Sequence, residues 1–337
     1  MSKEEQPTPD AASQALIEQF LEAEGSTSAP ETDWHTIPLP EGHKGGFVAL
    51  IGRPNVGKST LVNALLGQKI AIVSDKPQTT RRRITGILTQ PEAQIIFVDT
   101  PGIHQKPHQL IGTRMVEAAL GAIPDADVIL FVVDVSAPPR DEDRYIASLL
   151  SEKTHRPVLL TLNKMDQLAM KKAETHISAY WDLLPNHAES LPVSATRGTN
   201  LDMLLARILE HLPAGPRYYP GDQITDQTER QIAAELIREG MLRYTYQEVP
   251  HASAVIVDEY TERDDGHLYI AATLWIERAS QKGIIIGKGG EMLKRIGSAA
   301  RQELERFVGN RVYLELYVKV RPDWRNREHD LREAGVV

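Results

Sequence analysis

The sequence predicts a doubly wound α/β domain with a mostly parallel sheet, followed by a smaller α+β domain. Three observations carry this. From residue 46 onward, short runs that are apolar on both faces alternate with helical patterns, as strands of a parallel sheet covered on two sides must. The segment LPAGPRYYPGD at 212–222 packs three prolines and two glycines into eleven positions, so neither helix nor strand can pass through it. Beyond it the pattern changes to helix, strand, strand, helix, helix, strand.

The apolar runs are 47–51, 95–98, 128–135, 158–162 and 191–193. Residues 83–89 alternate more weakly and join the next run through Gln90-Pro91-Glu92, which suits an antiparallel edge hairpin. A helix over 60–66 stops at Gly67. In the second domain the pattern gives a helix over 226–246, a strand over 252–260, a turn at Asp264-Asp265-Gly266 and a strand over 267–277. A short helix over 281–286, a glycine turn, a longer helix over 291–307 and a strand over 311–320 follow. The limits read this way are 1–45 for an acidic, disordered extension, 46–215 for the first domain, and 216–337 for the second with a short carboxyl-terminal tail.

At 337 residues, 41% apolar and 25% charged, the chain is long enough for about two domains with real cores, which excludes a disordered or fibrous protein. With no cysteine, disulfide, zinc-thiolate and thiol-nucleophile chemistry are excluded too. The first thirty residues hold no apolar core of a signal peptide, and no stretch reaches eighteen apolar residues without charge. A soluble, intracellular monomer is expected. The net charge of −8 is uneven: residues 1–45 hold nine acids against two lysines, whereas 281–327 hold eleven Lys or Arg against five acids. That basic segment points to a polyanion partner.

Gly52, Arg53, Pro54, Asn55, Val56, Gly57, Lys58 and Ser59 follow a buried strand and open a helix at Thr60. This is a phosphate-binding loop in its required context: backbone N–H groups wrap the phosphates, Lys58 reaches the β and γ oxygens, and the Ser59 hydroxyl ligates Mg²⁺. Asp99, Thr100, Pro101 and Gly102 end another strand, where Asp99 can hold a Mg²⁺-bound water and Gly102 can offer its N–H to a γ-phosphate. Asn163, Lys164 and Asp166 end a third. Asp166 can accept both N1–H and N2–H of guanine, a donor pair that adenine lacks, while Asn163 and Lys164 brace base and loop. Ser194, Ala195 and Thr196 can give a backbone N–H to guanine O6. Four motifs in this order, each at a strand's carboxyl end, predict a GTP/GDP site on a P-loop GTPase domain.

The set resembles the translation-factor-like GTPases, and the segment KPQTTRRR at 76–83 resembles switch I of the Era family. In that family a threonine closes over Mg²⁺ and the γ-phosphate. Thr80 is the favoured residue and Thr79 the alternative. For Arg81, Arg82 and Arg83 a solvated run and a nucleic-acid contact weigh equally. The residue after Gly102 is Ile103, where Ras-like GTPases carry the glutamine that orients the attacking water, so slow intrinsic hydrolysis follows. In related potassium-activated GTPases an asparagine at the position of Asn55 ligates K⁺, which makes Asn55 a candidate K⁺ ligand; the other reading is that Asn55 only suits the turn's backbone.

In the second domain, Ile286 precedes Gly287-Lys288-Gly289-Gly290, and Lys294 and Arg295 follow on the next helix. A GxxG turn between two helices, in the order helix, strand, strand, helix, GxxG, helix, strand, is that of a type II KH domain, which clamps single-stranded nucleic acid. With the basic segment, it predicts RNA binding. Residues 46–337 together resemble the Era family, bacterial GTPases with a carboxyl-terminal KH domain. The resemblance implies binding to the 3′ end of small-subunit (16S-type) ribosomal RNA, a role in maturation of the small ribosomal subunit, and in some members peripheral membrane association. The alternatives are another potassium-activated ribosome or tRNA GTPase, and a nucleotide-sensing RNA-binding module with negligible turnover.

Overall fold

The computed structural model describes residues 38–105, 107, 109–264 and 266–336. Most of the acidic extension, and Asp265 of the expected turn, lie outside them. Leu39–Val337 form one compact unit.

Strand β1 (Lys44–Ile51) starts inside the stretch assigned to the extension, because Lys44 already pairs with Ala93. With β2 (Ile84–Thr89), β3 (Ala93–Asp99), β4 (Val128–Asp134), β5 (Val158–Asn163) and β6 (Glu189–Pro192) it makes a six-stranded sheet of order β2-β3-β1-β4-β5-β6. Only β2 runs antiparallel, as the short Gln90-Pro91-Glu92 connection requires. The helices are α1 (Lys58–Leu66), α2 (Leu110–Leu120), α3 (Asp141–Lys153), α4 (Ala173–Trp181) and α5 (Leu201–His211). Alternate residues of β1 feed two cores: Val48 and Leu50 pack with Leu61 of α1 and Leu204 of α5, while Ala49 and Ile51 pack with Ala119 of α2, Ile146 of α3 and Tyr180 of α4. The doubly wound reading holds, and it brings the carboxyl ends of β1, β3 and β5 to one rim.

The second module follows as α6 (Glu229–Tyr244), β7 (Ser253–Glu262), β8 (Leu268–Ile276), α7 (Ala279–Ile286), α8 (Glu291–Val308) and β9 (Val312–Val320). The strands form a sheet of order β7-β8-β9, antiparallel then parallel, which is the type II KH arrangement. Helix α6 starts later than the expected 226 because Thr228 caps it, its hydroxyl accepting from Gln231 N while the Gln231 side chain returns to Thr228 N. At Gly240 a Cβ would lie 3.2 Å from Ile296 O, so the glycine lets α6 and α8 cross closely. The expected short tail carries structure that the pattern did not reveal: a 3₁₀ turn at Trp324–Asn326 and a helix α9 (Glu328–Glu333). Trp324 and Leu331 are fully buried against Ile111 and Met115 of α2, so the tail is a seam between the modules.

The segment 212–222 carries no helix or strand, yet it is fastened to the first sheet. The Gln94 side chain accepts from Tyr218 N and Tyr219 N and donates to Tyr219 O. Farther on, Ile87 N donates to Ile224 O and the Thr225 hydroxyl to Thr85 O.

Candidate functional site

From Ile51 the chain turns through Gly52 into α1. Gly57 has φ 99°, which a side chain resists, and a Cβ there would lie 2.4 Å from Asn163 Nδ2. Lys58, on the first turn of α1, is buried and donates from Nζ to the carbonyls of Gly52 and Arg53, 3.0 Å each. Burial pushes its ammonium down to about 8, against the pull of Asp99. Arg53 points away from the cleft: its Nε donates to Asp143 Oδ2 at 3.2 Å, and the fully buried Asp143 also accepts from Arg140 N at the start of α3.

Three hydroxyl and carboxylate groups converge beside Lys58. The Ser59 hydroxyl donates to Asp99 Oδ2 at 2.5 Å, and Thr80 Oγ1 lies 2.8 Å from Ser59 Oγ and 3.5 Å from Asp99 Oδ2. Asp99 is fully buried, and its Oδ1 has no hydrogen-bond partner among the described residues. Burial lifts its carboxyl to about 6, even though Lys58 and the two hydroxyls favour the charged form. Hard oxygen donors around an orphaned carboxylate oxygen fit Mg²⁺. Thr79 turns elsewhere, its hydroxyl donating to Lys76 O at 2.7 Å. Of the two threonines, Thr80 is therefore the one that faces the oxygen cluster.

Gly102 packs on the loop so tightly that a Cβ would meet Pro54 N at 2.5 Å. The Thr100 hydroxyl donates to Leu50 O, and Ile103 is buried in the core with its N–H on Gly52 O. Both side chains are thus engaged away from the cleft, and Ile103 has no polar atom with which to orient water. Pro54, Thr60 and Gly102 line a cleft of about 60 Å³ between loop and switch I.

At the base end, Asn163 Nδ2 donates to Val56 O at 2.9 Å and Asn163 Oδ1 accepts from Ala195 N at 3.1 Å. Lys164 adopts left-handed backbone and bridges Asn55 O and Asp134 Oδ2. Asp166 is exposed and accepts from the Ser194 hydroxyl at 2.6 Å. The structure thus brings all four motifs to one rim. Asn55 has φ 63° and donates from Nδ2 to Asp75 O at 2.7 Å, so its turn-adapting role is visible.

On the second module, Gly287, Gly289 and Gly290 all have positive φ and present Lys288 to solvent. Ile286 is half-buried beneath, and Lys294 and Arg295 are exposed on α8, Arg295 over the Tyr244 ring at 4.7 Å. A groove of about 520 Å³ runs beside them between α8 and β9, lined by Gly290, Lys294, Arg301 and Tyr313. The basic surplus of 281–327 is smaller in space than in sequence, because Arg306, Arg321 and Arg325 pair with Glu303, Asp330 and Glu277.

Of the three arginines in the 76–83 segment only Arg83 is exposed, and Arg81 departs from the solvated reading. Arg81 is buried and donates to Ser253 O at 2.6 Å and Pro250 O at 3.0 Å, with Trp324 beneath it. Arg82 donates to the Gln227 side chain, and the exposed Arg83 to Ala118 O. In return Arg238 of α6 donates to Thr79 O, and Glu239 accepts from Val73 N and Lys69. The tail holds α2 through Arg114–Glu328 at 3.0 Å and Leu110 N on Asn326 Oδ1. Sequence reasoning missed these bolts and Asp143, since no local signal announces partners that the chain brings in from afar.

Residues 47–164 match the family model described as 50S ribosome-binding GTPase, and residues 248–325 the KH domain model. The chain is 48% identical over 292 residues to GTPase Era of Leuconostoc citreum, covering 87% of this chain and 96% of that protein. It is 52% identical over 293 residues to GTPase Era of Geobacter metallireducens, covering 87% and 97%. Among solved structures, Era in complex with MgGDPNP and nucleotides 1506-1542 of 16S ribosomal RNA superimposes with TM-score 0.84 at 43% identity, covering 88% of this chain and 99% of that one. A variant of Aquifex aeolicus Era bound to GDP.AlF4- matches with TM-score 0.84 and 43% identity over 87% of this chain and 99% of that one. Among the described residues no helix is long and apolar enough to cross a membrane.

Proposed function

The chain belongs to the Era family of GTPases, and from that membership we propose that it couples GTP binding and slow hydrolysis to holding the 3′ end of small-subunit ribosomal RNA during maturation of that subunit. The observation that carries this is the double attachment of switch I. Thr80 faces Ser59 and Asp99, while its neighbours Thr79 and Arg81 are bonded to the second module. A γ-phosphate that draws Thr80 inward pulls on the same short segment that α6 and β7 hold.

The residue roles belong to the same proposal. Lys58 and the backbone N–H groups of 53–60 hold the phosphates, Ser59 and Thr80 ligate Mg²⁺, Asp99 reaches it through water, and the Gly102 N–H meets the γ-phosphate. Bound Mg²⁺ would neutralise charge on the β and γ oxygens. Asp166 accepts from the guanine edge, and the 194–196 turn serves O6. Lys288, Lys294 and Arg295 follow the RNA backbone over the GxxG turn. The neighbour's 16S ribosomal RNA fragment and MgGDPNP support both partners. The limits 46–215 and 216–337, with the first set back to Lys44 where β1 begins, a monomeric state, and a cytoplasmic location with peripheral membrane contact complete the reading; family resemblance supports the location.

Single-turnover hydrolysis tests it. GTP should be cleaved slowly by the protein alone and at a different rate with single-stranded RNA of the 16S 3′ end. A rate indifferent to RNA ends the coupling. Because Ile103 cannot orient water, we include K⁺ held by Asn55 in the proposal. Hydrolysis should run faster in K⁺ than in Na⁺ at equal ionic strength, and an Asn55→Ala variant that keeps this response rejects Asn55 as the ligand.

A further inference from the structure

Between the arginines that end switch I, α6, β7 and the carboxyl-terminal helix lies a cavity of about 370 Å³ that neither the nucleotide cleft nor the GxxG groove uses. Five arginines line it, Arg81, Arg82, Arg230, Arg238 and Arg332, against two carboxylates, Glu235 and Glu333. Glu235 is already taken by Arg238, at 2.6 Å. Arg81, Arg82 and Arg230 spend donors on uncharged groups: the carbonyls of Ser253 and Pro250, the Gln227 amide, and the carbonyls of Val257 and Asp258.

Two of these cations are left incomplete where water cannot help. Arg81 is 6% and Arg238 3% exposed, and Arg81 Nε and Arg238 Nη1 are buried with no hydrogen-bond partner among the described residues. Burial, and next the like charge of Arg238, pushes Arg81 down to about 9. Two buried guanidinium groups that share one carboxylate, Glu235, leave a net positive charge that raises the energy of the fold unless an anion joins them. The remaining wall is apolar, with Ala234, Ala254 and Ile256.

We propose that this cavity is a second ligand site, separate from the nucleotide cleft, that binds a small phosphate-bearing anion between the two modules. Guanidinium forks match phosphate oxygens in pairs, which a compact ammonium does not. The volume is at the lower end of that of small-molecule sites and accommodates a diphosphate group with its water. Arg81 and Arg82 come from the first module and Arg230, Arg238 and Arg332 from the second. The complete site therefore exists only while the modules are docked, and an anion that fills it favours the docked arrangement over any other.

The experiment uses the full chain saturated with GDP and Mg²⁺, so that the phosphate-binding loop is occupied, and measures uptake of labelled pyrophosphate by equilibrium dialysis. One pyrophosphate per chain should bind beyond the nucleotide. The double variant Arg230→Gln/Arg332→Gln, whose two side chains lie on the exposed side of the cavity, should bind it at least about tenfold more weakly while retaining GDP in the same samples. No uptake by the GDP-saturated protein, or equal uptake by the double variant, overturns the proposal. Loss of GDP by either protein would instead count against the nucleotide site.

Discussion

The nucleotide cleft and the GxxG loop are built on opposite principles. In the cleft, Lys58 and Asp99 are buried, and nearly every polar atom has a named partner fixed by the end of a strand. On the loop, Lys288, Lys294 and Arg295 stand in solvent on a turn that three positive-φ glycines keep low. A buried group changes a great deal of free energy when one atom moves, so the cleft discriminates. Exposed charges each contribute little, add together, and fade with salt, so the loop attracts. On the proposed function, the nucleotide is thus read by position and RNA first by field.

The sharpest way to break that contrast is to remove the buried cation. Lys58→Ala should weaken binding of GTP with Mg²⁺ by about 3 to 5 kcal/mol, hundreds to thousands of fold, as for other desolvated charge pairs that lose a partner. Calorimetry showing less than tenfold loss would remove Lys58 from the phosphates. Next comes Asp166→Asn, expected to cost about 2 to 4 kcal/mol for GTP while favouring XTP, because one acceptor becomes a donor facing the xanthine carbonyl. Equal GTP affinity in both proteins would reject the guanine contact. On the loop, Lys288→Asp/Gly289→Asp should cost single-stranded RNA at least about tenfold and leave nucleotide affinity in place, with a wild-type salt slope of about −0.7 per phosphate neutralised. Filter binding reads this, with circular dichroism checking the fold; a folded variant with unaltered RNA affinity refutes the clamp.

The smallest expected effect is on pH. Asp99 is raised in the folded protein and Lys58 lowered, so ionised Asp99 costs stability as pH climbs from about 4 to about 6, and charged Lys58 costs stability below about 8. Between those limits both are charged at a cost that a magnesium nucleotide relieves. Affinity should therefore be flat from about pH 6 to 8 and fall on either side, with a proton released on binding at the acid edge. Calorimetry in buffers of different ionisation heat measures that proton, and its absence near pH 5 would show that no cation reaches Asp99.

What the sequence made legible follows the same division. The phosphate loop, Asp99, the Asn163 to Asp166 stretch and the GxxG turn could be found because each is a short spacing tied to one strand end or one helix start. Thr80 could be favoured over Thr79 but not fixed, since the choice depends on which hydroxyl turns toward Asp99. Arg81 could not be read at all. Its partner Ser253 is 172 residues away, and a run of three arginines looks the same whether it meets water, RNA or another module. The basic surplus of 281–327 was overstated for a related reason: Arg325 finds Glu277 and Arg321 finds Asp330 only after β8, β9 and the tail have folded together. The helix over Glu328–Glu333 has too few residues to show a period, and it is the burial of Trp324 and Leu331 that makes it a wall.

The fastening of the 212–222 segment sets the mechanics of the whole chain. Although prolines and glycines mark it as the place where the polypeptide should bend, Gln94 and Thr85 hold it down as far as Thr225, and α6 begins at Glu229. The covalent leash between the two bodies is thus at most residues 226–228, roughly 10 Å at full stretch, and within it the Gln227 side chain is bonded to Arg82 and Ile70 O. A leash shorter than the width of one helix permits rotation about a near-fixed pivot and almost no translation. Because Thr79 and Arg81 are bonded to the second module, the proposed coupling would reach Lys288 as a rotation rather than a slide.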